Sequence, residues 1–260
     1  MSFHYSAVDW NTQKKAYVKI LWLGILLFVL AFVAFQVILH PTISIETLII
    51  RATAVTAFVL LHIILAIGPL CRLQSRYLPL LYNRRHLGVS MFVMAAIHGL
   101  FSMVQFHALG DVNPIVSLFT SNVNYLAISA FPFQVLGFQA LIILALMAMT
   151  SHDFWLKNLS PKFWKTMHMM VYLAYALVIM HVATGSLQYE THPIYWIILI
   201  AGFVIVAGLH IISGLKERAI LKTKYQLKEE GYYEICSVEN LDENRGKSVF
   251  INAENIAIFK

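Results

Sequence analysis

Charge is what this sequence has least of. Only 12% of its 260 residues are Asp, Glu, Lys or Arg, about half the share of an ordinary soluble domain, while 59% are hydrophobic and the mean hydropathy is +0.71. A soluble globule is excluded. Cysteine is nearly absent too: Cys71 and Cys236 are too few for a disulfide scaffold, and their spacing forms no zinc or cluster motif. No short apolar core with a small-residue cleavage site follows Lys14 and Lys15, so the first apolar run reads as a retained helix rather than a signal peptide. Internal repeats and low-complexity tracts are lacking as well.

What is present is a series of apolar runs of about 20 residues, the length needed to cross a hydrocarbon core of about 30 Å. Six spans are expected, at about 18–39, 47–70, 87–107, 134–150, 164–186 and 194–214. Runs without period-2 alternation are not barrel strands, and lipid leaves only helices or closed barrels to satisfy the backbone. The fold class expected is therefore an all-α membrane protein, a six-transmembrane-helix bundle with a short C-terminal β segment.

The surplus of basic residues, net +6, follows the topology. With the N-terminus inside, the 71–86 loop with Arg72, Arg76, Arg84 and Arg85, the 151–163 loop with Lys157 and Lys162, and the tail after Gly214 share one face. Every Lys and Arg except Arg51 then lies on or beside that face. By the positive-inside rule both termini are cytoplasmic, and anionic lipid is the expected counter-charge. Nucleic acid is not implied. Both cysteines face the cytoplasm in this topology and are expected as free thiols. On the opposite side, the long 108–133 loop carries Asp111 as its one charge among Ile115, Val116, Leu118, Phe119 and Phe131. It is expected to lie back on the membrane, either as an inert flap or as a lid.

After residue 214 the composition becomes charged, and Tyr232–Val238, Lys247–Asn252 and Ile256–Phe259 read as short strands. So short a stretch cannot build a sheet core of its own. The expectation is that the chain continues beyond Lys260, or that the strip pairs with something else.

The chemistry sits inside the spans. No Asp, Glu, Lys or Arg lies in a span interior, yet His62, His98, His168 and His181 do. Any one buried histidine is more often bonded to a neighbouring helix than a ligand. Four imidazoles without a carboxylate point jointly to neutral nitrogen ligands for a metal, haem iron above all in a helical bundle. At 1.5 Å per residue, His62 lies about 12 Å above the inner boundary and His168 about 10 Å along its span, so these two share a level. His98 and His181 share the outer one. In an ideal helix the thirteen-residue spacing turns His168 and His181 about 140° apart, which suits His168 facing span 2 and His181 facing span 3. The pairs expected are His62–His168 and His98–His181, with His86 and His152 as reserve ligands at the inner interface. His107 and His210 lie at span ends, where solvated imidazoles are ordinary. Each ligand should donate its other ring nitrogen to a backbone carbonyl or a hydroxyl, with Thr166, Ser90 and Ser102 as nearby hydroxyls. The methionines, among them Met91, Met94, Met147, Met167 and Met180, read as plastic packing rather than ligands. Trp155, Phe163 and Trp164 beside Lys162 and Lys165 read as an interfacial belt first and a docking site second.

These residues also resemble a known group. Asn83-Arg84-Arg85-His86-Leu87-Gly88 followed by His98, then Trp164-Lys165-Thr166-Met167-His168 with His181 beyond it, resembles the ferric reductase-like transmembrane domain superfamily over about residues 47–186. That superfamily includes ferric reductases, NADPH oxidases and the haem-binding membrane subunit of the bacterial periplasmic methionine sulfoxide reductase. In the oxidase branch two helices carry two ligand histidines each. Here Arg84 stands at the first of those positions, as in the sulfoxide reductase subunit, so the resemblance implies His98, His168 and His181 as ligands, and His62 rests on depth alone. The segment Tyr233–Leu241 with the two following strands resembles the opening of a Rieske-type [2Fe–2S] ferredoxin domain, whose cluster ligands would lie beyond Lys260.

The organisation expected is a cytoplasmic segment at 1–17, a six-helix haem-binding domain at 18–214, a charged linker at 215–231 and the start of a Rieske-like β domain at 232–260. The function expected is that of an oxidoreductase component, a multi-pass cytochrome of the bacterial inner membrane holding one or two b-type haems. It would pass electrons from a cytoplasmic iron–sulfur or flavin donor to a small molecule, quinone or protein acceptor on the outer face. The competing classes are a metal or proton-coupled transporter using the same histidines, and a non-catalytic membrane anchor for a ferredoxin domain.

Overall fold

Each apolar run closes into a helix because only i→i−4 bonding satisfies its backbone in lipid. The computed structural model describes residues 12–124, 131–189, 193–221, 233–241, 246–251 and 254–260. The long helices are α1 (Thr12–Leu39), α2 (Ile45–Leu73), α4 (Arg84–Met103), α6 (Phe133–Thr150), the consecutive pair α8 (Pro161–Met169) and α9 (Val171–Thr184), and α10 (Ile194–Leu221). Short helices α3 (Pro79–Tyr82), α5 (Pro114–Thr120) and α7 (Asp153–Asn158) fill the connections. Among the described residues, six helical stretches are long and apolar enough to cross a membrane, counting α8 and α9 as one. The protein is an all-α membrane bundle.

Local signals explain the boundaries. Ser44 caps α2 by accepting the Thr47 amide, and Ser160 caps α8 by accepting from Phe163, with Pro161 at the first helical position. Between α8 and α9 the Met170 amide bonds to the Met167 carbonyl at 3.0 Å, a tightened turn that breaks the straight helix. The thirteen residues from His168 to His181 therefore cross this turn rather than following one uninterrupted helix. A second irregularity follows α4, where Val104–Ala108 form a π turn.

Two compact units partition the chain, Met1–Ala207 and Gly208–Lys260. In the first, α2 packs most extensively on α4, and α6 on α9, with α4 touching α6 between the pairs. Leu61, Leu65 and Ile64 of α2, Met91 and Met94 of α4, Ile143 and Leu144 of α6, and Ala174 and Tyr175 of α9 form one continuous core. Met91 and Met94 fill that core as packing. Half of the apolar stretch of α2 is buried, against 11% for α1, so α2 is the central helix and α1 faces mostly lipid. Ile20, Leu23, Leu26 and Leu30 of α1 are exposed accordingly. One end of this unit, the basic end, carries Arg72, Arg84, Arg85, Lys157 and Lys162. The other end carries Arg51 and the 108–124 connection.

In that connection α5 folds back on the bundle, burying Leu118 and setting the Phe119 ring edge-on to Phe138 of α6. His107 departs from expectation. It is buried, with Nδ1 2.9 Å from Ser117 Oγ, because the π turn redirects it and α5 covers it.

In the second unit β1 (Lys247–Ile251) and β2 (Glu254–Ile258) form an antiparallel hairpin, with Val249 opposite Ile256. The strand expected at 232–238 is replaced over 233–238 by a single bridge residue and irregular chain, and Ser237 then caps a 3₁₀ turn at Val238–Asn240. Residues 1–11, most of the expected linker, Tyr232 and Asn252 lie outside the described residues.

Candidate haem site

The four intramembrane histidines share one property and differ in another. Each has Nδ1 within hydrogen-bond reach of a backbone carbonyl, and a carbonyl can only accept. Nδ1 must therefore carry the proton, leaving the lone pair on Nε2, the tautomer that a metal requires. The difference lies in whose carbonyl accepts. His62 and His168 each bond to their own helix, at Phe58 (2.9 Å) and Trp164 (3.0 Å). His98 of α4 reaches across to Ile50 of α2 at 3.1 Å, and His181 of α9 reaches across to Phe133 of α6 at 2.8 Å. These two rings are tied to the four central helices of the bundle.

The structure brings His98 and His181 together. Their ring centroids are 6.2 Å apart and the planes are inclined at 71°. An imidazole nitrogen sits about 2 Å from a transition metal it ligates, so two rings sharing one metal have centroids about 6 Å apart. With both Nδ1 atoms occupied, the Nε2 lone pairs remain for that metal. The donor set, two neutral imidazoles and nothing else, fits the axial positions of haem iron, whose other four ligands come from the porphyrin. Among the described residues no group of three or more His, Cys, Asp or Glu could hold a bare metal ion.

His62 and His168 are arranged differently. His62 Nε2 accepts the Tyr175 hydroxyl at 3.1 Å, and Gly202 of α10 comes so close that a Cβ there would lie 2.9 Å from the same nitrogen. His168 stacks on Trp164 at 3.9 Å between centroids, and its Nε2 lies 3.4 Å from Ser151 Oγ. Each ring thus has its own partners in place of the other, because Tyr175 and α10 stand against His62. Of the reserve ligands, His152 caps α7 with Nδ1, accepting the Phe154 amide at 3.2 Å, and His86 sits in the first turn of α4.

Of the two kinds of acceptor expected for the facing pair, backbone carbonyl or hydroxyl, the structure shows the carbonyl. The acceptors are the carbonyls of Ile50 and Phe133 rather than Thr166, Ser90 or Ser102, and a carbonyl leaves no trace in residue type. Trp164, read as part of an interfacial belt, also supports His168: its Nε1 donates to the Thr150 carbonyl at 3.2 Å, fixing the ring on which the imidazole stacks. Tyr175, its position within a span unremarkable, is the partner of His62.

At the basic end Arg85 pairs with Asp153, tying α4 to α7. Hydrogen bonding to Arg85 holds the Asp153 carboxyl below the usual carboxylate range. A carboxylate with a lowered folded-state pKa stabilises above its unfolded pKa and loses that contribution as pH falls through the folded value. Asp153→Asn is therefore expected to lower the detergent-solubilised Tm slightly at neutral pH, with the difference closing below the usual carboxylate range. A constant difference across a pH series would show that the pair does not matter.

The geometry agrees with a family match. Residues 51–179 match the ferric reductase like transmembrane component. The matched segment holds His62, His98 and His168 and ends two residues before His181. Over 117 residues the chain is 34% identical to the protein-methionine-sulfoxide reductase heme-binding subunit MsrQ of Herminiimonas arsenicoxydans, covering 45% of this chain and 49% of that protein. The match thus spans about half the length of that curated relative.

Proposed function

We propose that this protein is a b-type membrane cytochrome that carries electrons across the bilayer, and that His98 and His181 are the residues that would hold its haem iron. The observation that carries the reading is the facing pair itself: two imidazoles 6.2 Å apart, each with its Nδ1 proton given to the backbone of a different helix. When bound, the haem supplies a one-electron couple. The chain's part is to present two Nε2 lone pairs, to hold their tautomers, and to bury both rings away from charge. Two histidines would hold the iron from this chain, and a haem held so would supply electron transfer rather than substrate binding at the metal.

A second haem at the other level would draw on His168, whose Nε2 has the Ser151 contact at 3.4 Å, and on His62 only if its Nε2 gave up the Tyr175 hydroxyl. In this reading the basic end faces the cytoplasm of a bacterial inner membrane. An iron–sulfur or flavin donor reduces the protein there, and an acceptor is reduced at the opposite face.

The test is vectorial transfer in vesicles. With purified protein in liposomes, reductant inside and a membrane-impermeant one-electron acceptor outside, the acceptor is expected to be reduced at a rate set by protein content. Acceptor reduction no faster than in protein-free vesicles, with haem present, would contradict electron transfer across the membrane.

A further inference from the structure

Two residues, Phe133 and Gly137, close on the His181 imidazole, a third, Gly185, backs Phe133, and none of them is a ligand. Phe133, the first residue of α6, touches it twice. Its carbonyl accepts the Nδ1 proton at 2.8 Å, and its ring lies 5.7 Å from the imidazole at a 40° tilt. One turn further along α6, Gly137 leaves the space into which the imidazole fits. A Cβ there would lie 2.7 Å from both Cε1 and Nδ1 of His181 and 3.2 Å from Cγ. That is the body of a ring rather than the tip of a flexible chain, so the ring itself would have to move. Gly185, which follows α9, does the same for Phe133: its Cβ would lie 2.5 Å from Cδ2 of that ring and 2.6 Å from the His181 carbonyl oxygen. The two glycines therefore close the packing from both sides. Glycine is not required everywhere in these helices, for a Cβ at Gly24 or Gly88 would meet nothing within 4 Å.

We infer that Gly137, Gly185 and Phe133 are positioning residues, a cradle that fixes the plane and tilt of the His181 imidazole and so tunes the reduction potential of the iron it ligates. The inference rests on haem ligation by His98 and His181. Its physical basis is that the hydrogen bond to the distal ring nitrogen and the orientation of the ring govern how strongly an imidazole donates to a metal. The Phe133 carbonyl sets the first and the Gly137 notch the second.

The experiment uses the purified full chain with its haem. Gly137→Ala, Gly185→Ala and Phe133→Leu are compared with wild type and with Gly24→Ala, by redox titration and by the low-spin EPR spectrum of the oxidised state. Gly137→Ala and Gly185→Ala are expected to shift both the midpoint potential and the g-values, and Gly24→Ala to leave both unchanged. Phe133→Leu adds no atom that could clash and keeps the carbonyl, so it reads the ring's share of the cradle even where a glycine variant fails to fold, and a shift is expected there too. If the folded variants overlay wild type in potential and g-values, the cradle is overturned while ligation stands. If wild type shows no low-spin haem, or His181→Ala keeps the wild-type signal, the ligation reading fails and the cradle with it.

Discussion

Replacing His181 with alanine is expected to cost the protein the haem held with His98, with the apoprotein still inserted and monodisperse in detergent. His98→Ala should do the same. If either imidazole merely joined helices, its loss would remove one hydrogen bond, a net contribution of about 1 kcal/mol, and any haem held elsewhere would be untouched. As an axial ligand its loss is far larger: even residues that only support a ligand are worth about 10- to 100-fold in metal affinity. The haem-to-protein ratio and the reduced absorption bands measure this directly. His62→Ala is the informative comparison, because its Nε2 is already taken by Tyr175. It should leave the bands of the His98–His181 haem in place. Loss of those bands in His62→Ala with retention in His181→Ala would reverse the assignment.

The second large effect is on stability. Leu65 of α2 is 1% exposed and lies in the core shared by α2, α4, α6 and α9. Leu65→Ala leaves a cavity that rigid helices fill poorly, at a cost of about 2–5 kcal/mol. A matching change on the lipid face, Leu23→Ala on α1, removes a side chain that is 55% exposed and should cost little. Thermal unfolding in detergent should separate the two, with Leu65→Ala lowering Tm markedly while the haem spectrum of the folded fraction stays unchanged. Equal Tm values would mean that α2 is not the central helix of the bundle. The two predictions are complementary: the ligand variants lose the spectrum and keep the fold, and the core variant weakens the fold and keeps the spectrum.

Much of this architecture is legible in the residues because lipid removes alternatives. An apolar run such as that of α1 has nothing to be but a helix, and Ser160-Pro161 marks the start of α8 as plainly as any signal can. The meeting of His98 and His181 was legible from depth and order along the chain. What was not legible depends on backbone and on neighbours. The turn at Met170 has no proline or glycine to announce it, and it interrupts the helix between His168 and His181. The π turn that buries His107 is equally silent in sequence. For His62 and His168, level alone does not say which way a ring points, and Tyr175 and Gly202 decide that for His62. The end of the chain shows the limit of pattern alone, since the alternation around Ile235 gives a bridge and a 3₁₀ turn in place of a strand.

The central claim is that the facing pair His98–His181 holds a haem. The most direct measurement is the absorption spectrum of the detergent-purified protein, oxidised and dithionite-reduced, taken with a haem-to-protein ratio and repeated on His98→Ala and His181→Ala. The account predicts a low-spin haem with sharp reduced α-bands in wild type, at one or two per chain, and one haem fewer in each variant. Folded wild-type protein made with ample haem supply that carries none, or variants with the full wild-type complement, would contradict it.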